Sequence, residues 1–168
     1  MTLWEINRIS SGAFTTALGG IFEHSPWVAE RASAARPFAG IAELHAAMMA
    51  AVRAAPDEMQ LALLRAHPEL AGKAAIRGEL TPDSKLEQSR AGLNQCSPDE
   101  LARLSELNAA YDAKFGFPFI LAVKGYDRAG ILQEFARRIE NDREAEFEAA
   151  LAQVARITRS RLDALLAE

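Results

Sequence analysis

Apolar positions recur at helical spacing along most of the chain. Ile41, Leu44, Met48, Met49 and Val52 fall on one face of a 3.6-residue period, as do Leu101, Leu104, Leu107 and Tyr111, while strict alternation is almost absent. Helix-entry signals divide these runs: Ser25-Pro26, Pro56-Asp57-Glu58, Thr81-Pro82-Asp83 and Ser97-Pro98-Asp99-Glu100 each set a capping residue or a proline before an acidic first turn. The pattern predicts an all-α fold, a multi-helix bundle of about eight helices with no sheet. No repeat, charge block or low-complexity linker interrupts residues 1–168, so one domain is expected over the whole length.

One segment breaks the pattern. From Phe115 to Gly125 a dense apolar run is bracketed by Gly116, Pro118 and Gly125, too short and too broken for a helix and without a visible partner strand. It is expected to be extended and buried, and its backbone N–H and C=O groups then need partners other than a ladder: helix ends and water, or a polar ligand.

The final helix carries an anomaly of a different kind. At about 100° per residue Phe147, Leu151, Val154, Thr158 and Leu165 share one stripe, and Arg161 falls inside it rather than with Arg156 and Arg159. A guanidinium aimed at a core needs an anion, either a protein carboxylate or the carboxylate of a ligand.

Two further places could hold chemistry. Pro68 biases His67 out of the helical region, so the helix that begins near Pro56 should end there, with His67 at its C-terminus. The negative end of the helix dipole favours an imidazolium, which suits either a cap on the last carbonyls or a proton shuttle. Downstream, Thr81-Pro82 and Ser84-x-x-Glu87 compete as caps. If Thr81 caps, Ser84, Glu87 and Gln88 lie on adjacent faces of one helix and could line a pocket.

Composition narrows the classes. Lys plus Arg number 19 against 23 for Asp plus Glu, a net charge of -4 that argues against a nucleic-acid partner. The three histidines form no metal-ligand spacing, and the single cysteine, Cys96, has no patterned histidine partner, so neither a metal site nor a thiol nucleophile is expected. No apolar run is long enough to span a bilayer and no leader pattern opens the chain, so a cytoplasmic protein without a membrane partner is expected.

Several segments in order, Gly20-Ile21-Phe22-Glu23-His24-Ser25-Pro26-Trp27, Ala66-His67-Pro68-Glu69-Leu70, Leu80-Thr81 with Ser84-x-x-Glu87-Gln88, Ala91-Gly92-Leu93, Leu107-Asn108-x-x-Tyr111 and Lys114 to Ile120, together resemble the OHCU decarboxylase family. OHCU is 2-oxo-4-hydroxy-4-carboxy-5-ureidoimidazoline, an intermediate of urate oxidation. The resemblance runs from about Phe14 to the end of the chain and implies an all-helical, cofactor-free homodimer that converts OHCU to (S)-allantoin and carbon dioxide. Position by position it implies His67 as the catalytic histidine with Glu87 beside it, Ser84, Gln88 and the Pro68 carbonyl as substrate contacts, and Arg161 as the substrate-gripping arginine. It also implies main-chain contacts from Phe119, Ile120, Leu121, Ala122 and Val123. Trp4, Phe14, Phe22 and Trp27, many large apolar residues for so short a stretch, point the same way toward a homodimer. The last residues, Leu166-Ala167-Glu168, do not match the peroxisomal tripeptide of some relatives, in line with a cytoplasmic form. Two other readings stay open: a lyase or isomerase acting on another small carboxylated ureido or imidazole compound, and a non-enzymatic helical ligand-binding or dimerisation module.

Overall fold

Short polar side chains and prolines start the helices where the sequence places them. In the computed structural model, which describes residues 1–167, Thr81 caps its helix by accepting from the Ser84 N–H, with Pro82 in the first turn. Thr81 therefore prevails over Ser84 as the cap. Ser97 and Glu100 form a reciprocal capping box, so two of the orphan N–H groups at that helix start are satisfied.

The described residues contain ten α-helices: α1 (Leu3–Ile6), α2 (Ser11–Leu18), α3 (Trp27–Ala32), α4 (Ile41–Ala54), α5 (Asp57–Arg65), α6 (Lys73–Ile76), α7 (Pro82–Arg90), α8 (Pro98–Phe115), α9 (Arg128–Arg138) and α10 (Arg143–Leu165). There is no strand among them, only one isolated bridge between Thr2 and Ala167. The fold is all-α. Two of the ten, α1 and α6, have four residues each and are too short to show a period, which explains the smaller number read from spacing. No helix among the described residues is long and apolar enough to cross a membrane.

The chain clusters into two compact units, residues 1–66 with the stretch from Val154 onward, and residues 67–153, so α10 contributes residues to both. In the first unit α3 packs against α2 and α4. Ile6, Phe14, Leu18, Phe22, Leu44 and Met48 are among its fully buried side chains. Phe14 and Phe22 are thus core residues rather than a surface kept for a partner, and of the four aromatic residues singled out near the start Trp4 is the exposed one, at 64%. On α10 the expected stripe holds at Leu151, Val154 and Thr158 but not at Leu165, which is exposed; the helix ends there, and Leu162 and Leu166 take the buried places.

The second unit is built around aromatic rings. Tyr111 lies edge-on to Phe117, Phe119 and Phe135, and Phe119 stacks on Phe135 at 3.9 Å between ring centroids. The chain leaves α8 through Gly116, whose φ of 78° is in the left-handed region, and then runs without regular structure through Val123. Phe117, Phe119, Ile120, Leu121 and Val123 are buried as expected.

Part of this segment's backbone is satisfied by side chains from helices. Arg138 Nη1 donates to the Ile120 carbonyl at 2.6 Å, and the Ala122 N–H donates to Gln153 Oε1 at 3.0 Å. Arg138 is itself held by Glu146 at 2.8 Å, both essentially buried, and Glu146 also accepts from the Tyr111 hydroxyl and from Asn141 Nδ2. Burial pushes the Glu146 carboxyl up, but the hydrogen bonds from Arg138, Tyr111 and Asn141 outweigh it and hold the carboxyl below its ordinary range. Burial, reinforced by the bond to Glu146, drives the Tyr111 hydroxyl far above the usual phenol value.

Breaking such a pair from one side strands a buried charge. Glu146→Gln should therefore lower unfolding free energy by about 3 to 5 kcal/mol, measured by denaturant titration at neutral pH. Because the folded carboxyl lies below its unfolded value near 4.5, its contribution is present above that pH and is lost as pH falls through the lowered folded value. The denaturant midpoint of the native sequence should accordingly fall on acidification below about pH 4.5 more steeply than that of Glu146→Gln.

Candidate functional site

The second unit opens on the loop that carries His67. Helix α5 ends at Arg65 with Ala66 as its cap, so His67-Pro68 follows a helix end as the proline requires. His67 is 6% exposed, and its Nε2 is shielded from solvent. From Pro68 to Gly72 the backbone is irregular: Ala71 adopts a φ of 48°, unusual for a residue with a Cβ, and a Cβ on Gly72 would meet the Glu69 side chain at 2.6 Å.

Two carboxamides hold this loop. Gln88 Nε2 donates to the Glu69 carbonyl at 3.2 Å while Gln88 Oε1 accepts from the Ala71 N–H at 2.9 Å. Asn108 Nδ2, from α8, donates to the intervening Leu70 carbonyl at 3.0 Å. Three consecutive residues are thus pinned from two helices. Asn108 was part of the motif pattern but carried no expected role, since its partner is remote in sequence.

On α7 the cap at Thr81 sets the register of the polar residues. Ser84 and Gln88, one turn apart, are both buried, and Glu87 is half-buried. The structure therefore brings Gln88 onto the backbone just beyond His67-Pro68, with Ser84 on the same helix face. Burial, with the Asp112 charge adding to it, raises the Glu69 carboxyl above its usual range against the pull of Lys73.

Phe119 to Val123 belong to the irregular segment of the same unit. Of the main-chain groups expected to serve a ligand, the Ile120 carbonyl and the Ala122 N–H already have protein partners, and the Val123 carbonyl accepts from the Tyr126 N–H at 2.9 Å. Side chains satisfy the first two because Arg138 and Gln153 reach them from helices farther along the chain, which spacing could not reveal.

Arg161 lies in the first unit and points inward as its place on the stripe requires, 6% exposed. Its Nη2 donates to Glu23 Oε1 at 3.0 Å and its Nη1 to the Ile21 carbonyl at 3.2 Å. Glu23, 2% exposed, is a buried carboxylate that lies within a quoted motif segment but carries no expected role, because it sits in the irregular turn between α2 and α3 where no period applies. Its neighbour His24 takes a φ of 47°. Also in this unit, His45 Nε2 meets Thr158 Oγ1 at 3.1 Å, which explains how a threonine sits in the apolar stripe; burial lowers the His45 pKa.

Comparison with known proteins places the arrangement. The model of the OHCU decarboxylase family matches residues 7–163. The chain is 42% identical to the Uric acid degradation bifunctional protein PucL of Bacillus subtilis (strain 168), over 99% of this chain but only 33% of that protein's length. It is 43% identical to the 2-oxo-4-hydroxy-4-carboxy-5-ureidoimidazoline decarboxylase of Haloferax volcanii, over 96% of this chain and 94% of that one. A crystal structure of (S)-allantoin synthase superposes with a TM-score of 0.77 at 32% identity, covering 99% of this chain and 54% of that chain. With the family model matched almost end to end and a relative of similar length above 40% identity, the chain belongs to the OHCU decarboxylase family.

Proposed function

We propose that this protein decarboxylates OHCU to (S)-allantoin and carbon dioxide in urate degradation. The observation that carries the reading is a buried histidine on a rigidly held loop just past a helix end, in a chain of this family. The chemistry asks little of a protein. When the carboxylate leaves as carbon dioxide, the electrons of the broken C–C bond pass into the conjugated ring C=N, so the substrate is its own electron sink and no external cofactor is needed. What remains is to orient the substrate and to deliver one proton to one face.

His67 moves the proton, at the substrate hydroxyl or in the final protonation, and Glu87 keeps the imidazole in the useful tautomer and charge state. Ser84, Gln88 and the Pro68 carbonyl contact the ureido and ring edges, together with main-chain groups between Phe119 and Val123. Arg161 recognises an anionic group of the substrate; its planar fork suits a carboxylate, and the bonds to Glu23 and Ile21 fix its orientation. The protein acts as a cytoplasmic homodimer; the exposed Trp4, with the Arg8 guanidinium 4.1 Å from its ring centre, is a surface that supports this.

The direct test is to generate OHCU in situ from urate and follow (S)-allantoin by circular dichroism. His67→Asn should abolish stereoselective formation, leaving racemic product from spontaneous decay, with the far-ultraviolet spectrum unchanged. Enantiopure (S)-allantoin from the variant would refute the role of His67.

Arg161→Ala should lower unfolding free energy by about 3 to 5 kcal/mol because it strands the buried Glu23 carboxylate. Arg161→Lys keeps the charge but not the fork, and kcat/KM should fall by about tenfold or more, roughly 1.4 kcal/mol of transition-state stabilisation. Sedimentation velocity at micromolar concentration should give the mass of a dimer; a monomer alone would reject that assembly.

A further inference from the structure

The polar groups around residues 69–71 form a mechanical device. A helix satisfies its own backbone and a strand pairs with its neighbour, but this loop is neither, and Ala71 is held in a left-handed conformation that a residue with a Cβ rarely adopts. Left to itself it would relax. Gln88 prevents this by reading both polarities at once, a donor to the Glu69 carbonyl and an acceptor from the Ala71 N–H. A carboxylate in its place would set an acceptor against a carbonyl, and an apolar side chain would make neither bond.

Asn108 completes the hold. Its Nδ2 serves the Leu70 carbonyl, and this bond orients the amide; its Oδ1 is then buried and accepts no hydrogen bond among the described residues. A buried acceptor left in that state is unfavourable, so the asparagine is a poor choice for stability alone. The bond it makes falls on the middle residue of the loop. Pro68, with its locked φ, leaves little slack between that loop and His67.

We propose that Gln88 and Asn108 form a two-helix amide clamp that sets the position of His67, and that Asn108 is a positioning residue for the reaction. The inference rests on the functional reading above for its catalytic part only. Asn108→Leu is the informative variant, because it withdraws the partner of the Leu70 carbonyl but also removes the unfavourable buried oxygen, so the denaturant midpoint should move little.

Two measurements decide. Hydrogen exchange of the Ala71 amide, protected by Gln88 in the native sequence, should accelerate about tenfold or more in Asn108→Leu, while amides in the middle of α8 keep their protection. In the allantoin assay kcat should fall by about tenfold or more with KM within about twofold, and the enantiomeric excess of (S)-allantoin should drop. Unchanged Ala71 exchange overturns the clamp whatever the activity. Faster exchange with native kcat and enantiomeric excess overturns the link to His67. If the native protein forms no allantoin, the functional reading fails, and the exchange measurement still decides on the clamp. Asn108→Ala, read in the same way, serves if the leucine is not accommodated.

Discussion

Buried backbone that is neither helical nor paired in a sheet must find its hydrogen bonds elsewhere, and the second unit is organised around this constraint. Two irregular stretches, residues 67–72 and 116–123, carry the expected chemistry, and both are held by long polar side chains from helices. Arg138 and Gln153 hold the one; Gln88 and Asn108 hold the other. Arg138, Gln88 and Asn108 are themselves buried, and the strongest, Arg138, requires the Glu146 carboxylate, which in turn accepts from Tyr111 and Asn141. The polar network is therefore connected, which is the condition under which a buried charge pair is tolerable.

The consequence for catalysis is rigidity at low intrinsic stability of the local backbone. A reaction that supplies its own electron sink depends on geometry more than on exotic groups, and delivering a proton to one face of a planar intermediate requires that the donor not wander. A helix fixes the direction of a side chain by its own hydrogen bonds. An irregular loop does so only when something external removes its freedom. The left-handed Ala71 and the crowding at Gly72 mark where the chain would otherwise relax.

Arg161 illustrates the same logic in the first unit. A lone arginine inside a core is untenable, and Glu23 and the Ile21 carbonyl make it tenable. The ion pair is thus both a structural fact and a way to orient a planar fork. Of the two alternatives read from the sequence, a protein carboxylate and a ligand carboxylate, the structure shows the first, Glu23.

Much of the fold was legible because its determinants are local. The caps at Thr81 and Ser97, the helix end before His67-Pro68 and the inward aim of Arg161 depend on neighbours within a turn or two, and sequence displays these directly. One-turn helices such as α1 and α6 were invisible because four residues show no period, and Leu165 was misplaced because a period does not say where a helix stops being covered. The sequence by itself determined the helical class, the burial of the Phe115 to Val123 stretch and, through family resemblance, the residues expected to do chemistry. Only the tertiary structure decided which side chains satisfy the buried backbone: Gln88 reaches Ala71 across 17 positions, Asn108 reaches Leu70 across 38, and Arg161 reaches Glu23 across 138. Such pairings arise from the packing of whole helices, and no local pattern encodes the partner of a group that distant.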